Sequence, residues 1–180
     1  MPEQNAANPF GRVAGDSALL IPLPDLDGEL APWLAATASD GIGAHLTVLV
    51  PFLPEAELTG EVLAALRGVF EGFAAFDIVF AKTGRFPEVL YLVPEPDRPA
   101  REMAAAVHAS WPQCPPYGGG IDDPVPHTTV VYARPEAEYD EARRVLGPRL
   151  PLRTRAAAVE LVVFDGGRWN LRERFVLSDH

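Results

Sequence analysis

Two of the four histidines carry the same neighbour: His45-Leu46-Thr47 and His127-Thr128-Thr129 each place a threonine two positions after an imidazole. Both triplets sit in β-branched, alternating runs, AHLTVLVPF (44–52) and PHTTVVY (126–132), which read as strands. Side chains on a strand alternate between faces with a rise of about 3.3 Å per residue, so His45 and Thr47 share a face, as do His127 and Thr129. An imidazole titrates near neutral pH and serves as acid or base. A pair in opposite protonation states suits in-line displacement at phosphorus, one ring taking the proton of the attacking oxygen while the other protonates the leaving oxygen. Threonine hydroxyls can donate to the non-bridging oxygens, where negative charge must be held. That chemistry calls for no metal, and the sequence lacks HExxH, His-x-His and paired cysteines. A lone histidine on an apolar strand is more often a packed core residue; the repeated frame is what points to function.

The elements that must position these residues can be read from periodicity and turn chemistry. SALLIPL (17–23) reads as a buried strand, followed by a helix over about 26–38 that Asp25 or Asp27 could cap. Apolar residues from Leu58 to Phe73 recur at helical spacing. Strands over 76–83 and 89–93 flank a turn at Gly84-Arg85-Phe86-Pro87, and a helix over about 99–111 follows. The Pro- and Gly-rich loop 112–126 delivers the chain into the second triplet. A helix over 138–146 leads to strands over 157–165 and 172–177, which flank Gly166-Gly167-Arg168-Trp169. The order of His-x-Thr strand, helix, strand, turn and strand occurs twice. Gly84 follows His45 by 39 residues and Gly167 follows His127 by 40, the pattern of a duplicated unit. Two lobes related by a pseudo-two-fold would make the His-x-Thr faces look at each other across a cleft.

A chain of 180 residues and 19.5 kDa holds one domain or two intimate lobes. With 19 prolines and 15 glycines, a long helical bundle is excluded. The formal charge of −10 repels polyanions, which excludes a protein gripping long stretches of nucleic acid. Cys114 is single, so no disulfide framework forms within one chain, in keeping with a reducing cytoplasm. Residues 1–15 lack the basic and apolar regions of a secretory signal and read as a flexible leader to a folded unit over 16–180. The apolar stretch 42–53 is far short of the roughly 20 residues a bilayer span needs, so no membrane association is expected.

His45-Leu46-Thr47-Val48 and His127-Thr128-Thr129-Val130 resemble the paired His-x-Thr/Ser-x motifs of the 2H phosphoesterase superfamily, and the chain is most similar to its bacterial 2'-5' RNA ligase branch. The resemblance spans about residues 17–178 and includes Pro51-Phe52, Arg85-Phe86-Pro87, Pro126 and the closing stretch Trp169–Leu177. It implies an α+β, bilobal LigT-like fold, with two pseudo-symmetric lobes whose antiparallel sheets line a central cleft and with helices outside. The implied activity is metal-independent hydrolysis of 2',3'-cyclic phosphates or 2'-5' phosphodiesters of nucleotides or RNA ends, without cofactor; some relatives also join RNA ends reversibly. His45 and His127 would be the acid/base pair, with Thr47 and Thr129 on the phosphoryl oxygens. Tyr132 resembles the substrate-contacting tyrosine of plant cyclic phosphodiesterases; strict alternation puts it opposite His127, so a bulge or the strand's end must re-aim it.

Around this quartet, Arg85 and Phe86 are candidates for a phosphate-binding guanidinium and a base-stacking ring, with Arg168 and Trp169 as counterparts. The loop Tyr117-Gly118-Gly119-Gly120 is a candidate gate over the cleft, with Tyr117 as a stacking platform. The expected partner is a small nucleotide or RNA terminus bound by a monomer. A non-catalytic module that binds a nucleotide or phosphorylated RNA end in the same cleft is the alternative.

Overall fold

The computed structural model describes residues 12–37 and 41–179. Its helices and strands run in the order β1 (Ser17–Pro22), α1 (Asp27–Thr37), β2 (His45–Leu49), α2 (Gly60–Phe70), β3 (Phe76–Phe86), β4 (Val89–Glu95), α3 (Arg98–Ser110), β5 (Thr128–Tyr132), α4 (Glu136–Leu146), β6 (Leu152–Ala156), β7 (Ala158–Phe164) and β8 (Trp169–Val176). Local chemistry sets the helix ends. Thr59 accepts the Val62 N–H at 3.3 Å to open α2. In α4, Glu136 and Glu138 lie in the first turn and Arg143 and Arg144 in the last, which complements the helix dipole.

The strands form two antiparallel four-stranded sheets, ordered β2-β1-β7-β8 and β5-β4-β3-β6. Each His-x-Thr segment therefore lies at the edge of its own sheet. β2 and β5 approach each other, with α3 packed on β2 and α1 on β5. The result is the bilobal α+β, LigT-like arrangement that the resemblance implied.

Both edge strands carry the same irregularity. Along β2 the register with β1 shifts between Leu20, opposite Thr47, and Leu19, opposite Leu49, so Val48 is an extra residue. Along β5 the register with β4 shifts between Tyr91, opposite Thr129, and Leu90, opposite Val131, so Val130 is extra. Two adjacent residues are buried at each bulge, Val48 with Leu49 and Val130 with Val131. Tyr132, which pairs with Val89, is thereby turned to the face of Thr129, the reorientation that a tyrosine five positions after His127 requires.

The two halves exchange a strand. In sheet position β1 corresponds to β4, β2 to β5 and β3 to β7, so the repeated order is strand, helix, His-x-Thr strand, helix, strand. β3 closes the first half yet pairs with β4 of the second; β7 closes the second yet pairs with β1 of the first. The repeat boundary falls between β3 and β4, where the sequence reading had placed a hairpin inside one unit. Gly84 and Gly167 are consequently not equivalent despite their matching intervals, since Gly84 lies within β3 and Gly167 in the turn before β8.

One hydrophobic core runs through both sheets, from Leu19 and Ile21 in β1 through Leu66 and Phe70 in α2 to Phe80 in β3 and Val107 in α3. A smaller cluster of Ala18, Leu20, Val162, Phe164 and Trp169 covers the opposite face of the first sheet, the face that carries Thr47. Among the described residues no helix is long and apolar enough to cross a membrane.

Several boundaries differ from expectation. α2 ends at Phe70, and β3 continues to Phe86, which moves the turn to Pro87-Glu88 and makes Arg85 and Phe86 strand residues. β8 begins at Trp169, because Asp165 accepts the Gly167 and Arg168 N–H groups and closes the turn before it. β6 was not anticipated, although Leu152-Arg153-Thr154-Arg155-Ala156 alternates cleanly between buried and exposed. The Asp25 and Asp27 carboxylates accept from Thr154 Oγ1 and the Ala44 N–H. Residues 12–15 of the expected leader pack on the fold, with Gly15 N–H donating to the Phe164 carbonyl at 2.8 Å; residues 1–11 lie outside the described residues.

Candidate active site

His45 opens β2 and His127 immediately precedes β5, each followed by a half-buried threonine on the same face. The two rings are anchored alike. His45 Nδ1–H donates to the Gly43 carbonyl at 2.8 Å and His127 Nδ1–H to the Val125 carbonyl at 2.7 Å, in each case two residues back. A carbonyl only accepts, so Nδ1 must carry the hydrogen, and Nε2 is left as the nitrogen available for proton transfer.

Burial pushes both imidazoles below their ordinary value of 6.5. The carbonyl partner of each ring works in the opposite direction. For His45 the charge of nearby His127 lowers it further, while the Asp27 carboxylate raises it. His45 therefore feels the charge of His127 across the cleft, and burial disfavours the charged form of both rings.

Tyr117 enters from the loop before β5. Its N–H donates to the Val50 carbonyl at 2.6 Å, and its hydroxyl lies beside that of Thr47, while burial pushes that hydroxyl above the ordinary range. Tyr117, Gly118 and Gly119 take φ values of 52°, 64° and 78°, a left-handed turn that two glycines make accessible. The loop is thus tied to the first His-x-Thr strand, and the tyrosine is a neighbour of Thr47. Beside it a cavity of about 260 Å³ is lined by Thr47, Tyr117, His127, Arg101, His108 and Val125 among others, joining residues of both sheets.

On the second sheet an aromatic shelf faces His127. Phe86 and Tyr91 stack with centroids 4.3 Å apart, and the His127 ring meets them edge-on at 5.2 and 5.3 Å. Phe86 is therefore brought to the cleft, and Tyr91, opposite Thr129, joins it unforeseen. Its signal was available in the alternation of VLYLV once that strand is placed beside the second motif. Arg85 is not brought there. It pairs with buried Leu90, its guanidinium lies 3.4 Å over the Tyr139 ring, and Nη2 donates to Glu136 at 2.9 Å, so it fastens α4 to the face away from the shelf.

The first sheet carries a different shelf. Phe164 and Trp169 lie 5.4 Å apart beneath the Arg12 guanidinium, which sits 5.2 Å from the Phe164 centroid and 5.6 Å from that of Trp169. Trp169 is buried, and Arg168 is exposed beside Gly41, so neither mirrors Arg85 or Phe86. Tyr132 lies near Arg12, Glu88 and Tyr139. Sequence reasoning missed Arg12 because it counted residues up to 15 as leader. Among the described residues no group of three or more His, Cys, Asp or Glu side chains is arranged to hold a metal ion.

Comparison with solved structures finds the same fold. A crystal structure of E. coli LigT complexed with 3'-AMP is 19% identical, with a TM-score of 0.58 over 92% of this chain and 99% of that one. The protein TT0787 of Thermus thermophilus is 21% identical, with a TM-score of 0.61 over 92% and 100%. A comparison with curated protein sequences finds no match. The family model described as the 2'-5' RNA ligase superfamily matches residues 30–168, a span that takes in both His-x-Thr segments. By that match the chain belongs to the 2'-5' RNA ligase superfamily.

Proposed function

We propose that this protein is a metal-independent phosphodiesterase that opens 2',3'-cyclic phosphates or cleaves 2'-5' phosphodiesters of nucleotides or RNA ends. The observation that carries this reading is the matched anchoring of His45 and His127, each with Nδ1–H on a backbone carbonyl and Nε2 free. An entering phosphodiester anion favours the charged form of the neighbouring rings and restores a proton to one of them. The neutral ring takes the proton of the attacking water through Nε2. The protonated ring gives its Nε2 proton to the leaving oxygen as the phosphorus–oxygen bond breaks. Thr47 and Thr129 donate to the non-bridging oxygens, and Tyr117 orients the first of these hydroxyls. With a 5'-hydroxyl in place of water as the attacking oxygen, the same groups would join a 2',3'-cyclic end to it through a 2'-5' bond: one ring takes the 5'-hydroxyl proton and the other protonates the departing 3'-oxygen.

E. coli LigT has been crystallised with 3'-AMP, NADP+, phosphate and ATP, which supports a small phosphorylated ligand for this fold. Phe86 and Tyr91 offer stacking surface for a base, and Tyr132 is turned toward the same face. The net charge of −10 disfavours long RNA, so the substrate is a mononucleotide or a short end, handled by a monomeric unit over residues 16–180 in the cytoplasm.

The test is a panel of 2',3'-cyclic mononucleotides, a 2'-5' dinucleotide and an RNA with a cyclic end, assayed in EDTA. His45→Ala and His127→Ala should each lose roughly 10²–10⁴ in rate with the fold retained. Full activity in either variant overturns the assignment. Ligand binding with no turnover in the wild type would favour the non-catalytic module instead.

A further inference from the structure

The Gly43–Ala44 peptide is held at both of its polar atoms. Its C=O accepts His45 Nδ1–H at 2.8 Å, and its N–H donates to Asp27 Oδ1 at 2.7 Å. A single amide thus stands between a carboxylate and an imidazole. Asp27 is presented by the first turn of α1, and its carboxylate occupies the space a Cβ on residue 43 would take, so any larger residue there would push the carboxylate aside. The Ala44 carbonyl is held in turn by the Leu23 N–H at 2.8 Å, so the loop has little freedom to swing away.

The second half lacks this link. The Val125 carbonyl accepts His127 Nδ1–H at 2.7 Å, but the nitrogen of that peptide belongs to Pro126 and bears no hydrogen. The loop is held instead by a cation: Arg101 Nη1 donates to Asp123 at 2.9 Å and to the Pro124 carbonyl at 3.3 Å. The two histidines are anchored alike in their first bond and differently in the second.

We propose that Asp27 is a positioning residue that acts on His45 through the Gly43–Ala44 amide, locking its Nδ1–H tautomer and supporting its protonated ring, a support that His127 lacks. Hydrogen bonds in series polarise one another, and an N–H given to a carboxylate makes the carbonyl of the same peptide a stronger acceptor. An imidazolium needs that acceptor more than a neutral ring does. Among the described residues the groups facing His45 are Asp27 from α1, His127 across the cleft and, beside Thr47, Tyr117, whose hydroxyl burial pushes above its ordinary range. Of these, Asp27 favours the charged ring and His127 opposes it. The kinetic part of this inference rests on the phosphodiesterase reading; the titration part does not.

The experiment follows the His45 and His127 ring titrations by ¹⁵N NMR in the free, full-length chain, for the wild type, Asp27→Asn and Asp27→Ala. Asparagine keeps an oxygen for the Ala44 N–H and removes the charge. Asp27→Asn should lower the His45 midpoint by roughly half to one unit and leave His127 within a few tenths. With a substrate in hand, the same variant should move the acid limb of the pH–rate profile and reduce kcat with KM retained. Asp27→Ala should also slacken the loop and lose more of kcat; should it fail to fold, the asparagine variant still decides the matter. A His45 midpoint unchanged in Asp27→Asn, or equal shifts in both histidines, would overturn the proposal. If no substrate turns over, the phosphodiesterase reading fails while the titration result stands.

Discussion

Gly84 faces Tyr91 across the β3–β4 ladder, and the tyrosine ring lies where any side chain on residue 84 would begin. The missing Cβ lets the ring lie across β3, stack on Phe86 and meet His127 at its edge.

Gly84→Ala should therefore displace Tyr91. The misfit belongs to the class of overpacking changes that cost about 1–3 kcal/mol, readable as a lower urea midpoint. The shelf that orients His127 goes with it, so kcat/KM for a cyclic nucleotide should fall as well. Wild-type stability and kinetics in this variant would show that the ring has another place to go.

Acid should weaken the fold. Both imidazoles bind a proton less readily in the folded chain than their ordinary value of 6.5 implies, so below that value the unfolded chain holds more protons. Stability is then full above about pH 7 and is lost as the pH drops through 6.5 toward the folded-state values. Urea denaturation across this range should show the fall, and His45→Ala should flatten it. An anion bound between the rings reverses the sign, because it favours their charged form; 3'-AMP binding at neutral pH should take up protons, seen as a calorimetric enthalpy that varies with the ionisation heat of the buffer.

Arg85→Ala separates two roles for one guanidinium. Its stacking on Tyr139 and its bond to Glu136 tie β3 to α4, away from the aromatic shelf. The expected result is a lowered Tm with KM for a cyclic nucleotide unchanged. A raised KM at unaltered Tm would return Arg85 to the phosphate.

The sequence carried the quartet because its geometry is local: alternation alone puts His45 with Thr47 and His127 with Thr129. It carried the need for a bulge or a strand end ahead of Tyr132 by contradiction, since that residue had to face both ways, while the choice of a bulge at Val130 appears only in the strand register. The turns were harder to place. Gly84-Arg85-Phe86-Pro87 has turn composition, but glycine is present there to admit a ring from the next strand, a tertiary demand that a linear reading cannot separate from a bend. Likewise Asp27 reads as a helix cap, and only the folded chain reveals a loop 17 residues away as its partner. The strand exchange was invisible for the same reason, because periodicity reports which residues pair with a sheet but not whose sheet it is.

That exchange makes each sheet a joint product of both halves. Cut the chain between β3 and β4 and β3 would lose its neighbour in one piece while β1 would lose β7 in the same piece, so neither half could complete a sheet alone. The cleft lies along that seam with one histidine on each bank, and the banks are built differently, a carboxylate behind one imidazole and a proline behind the other.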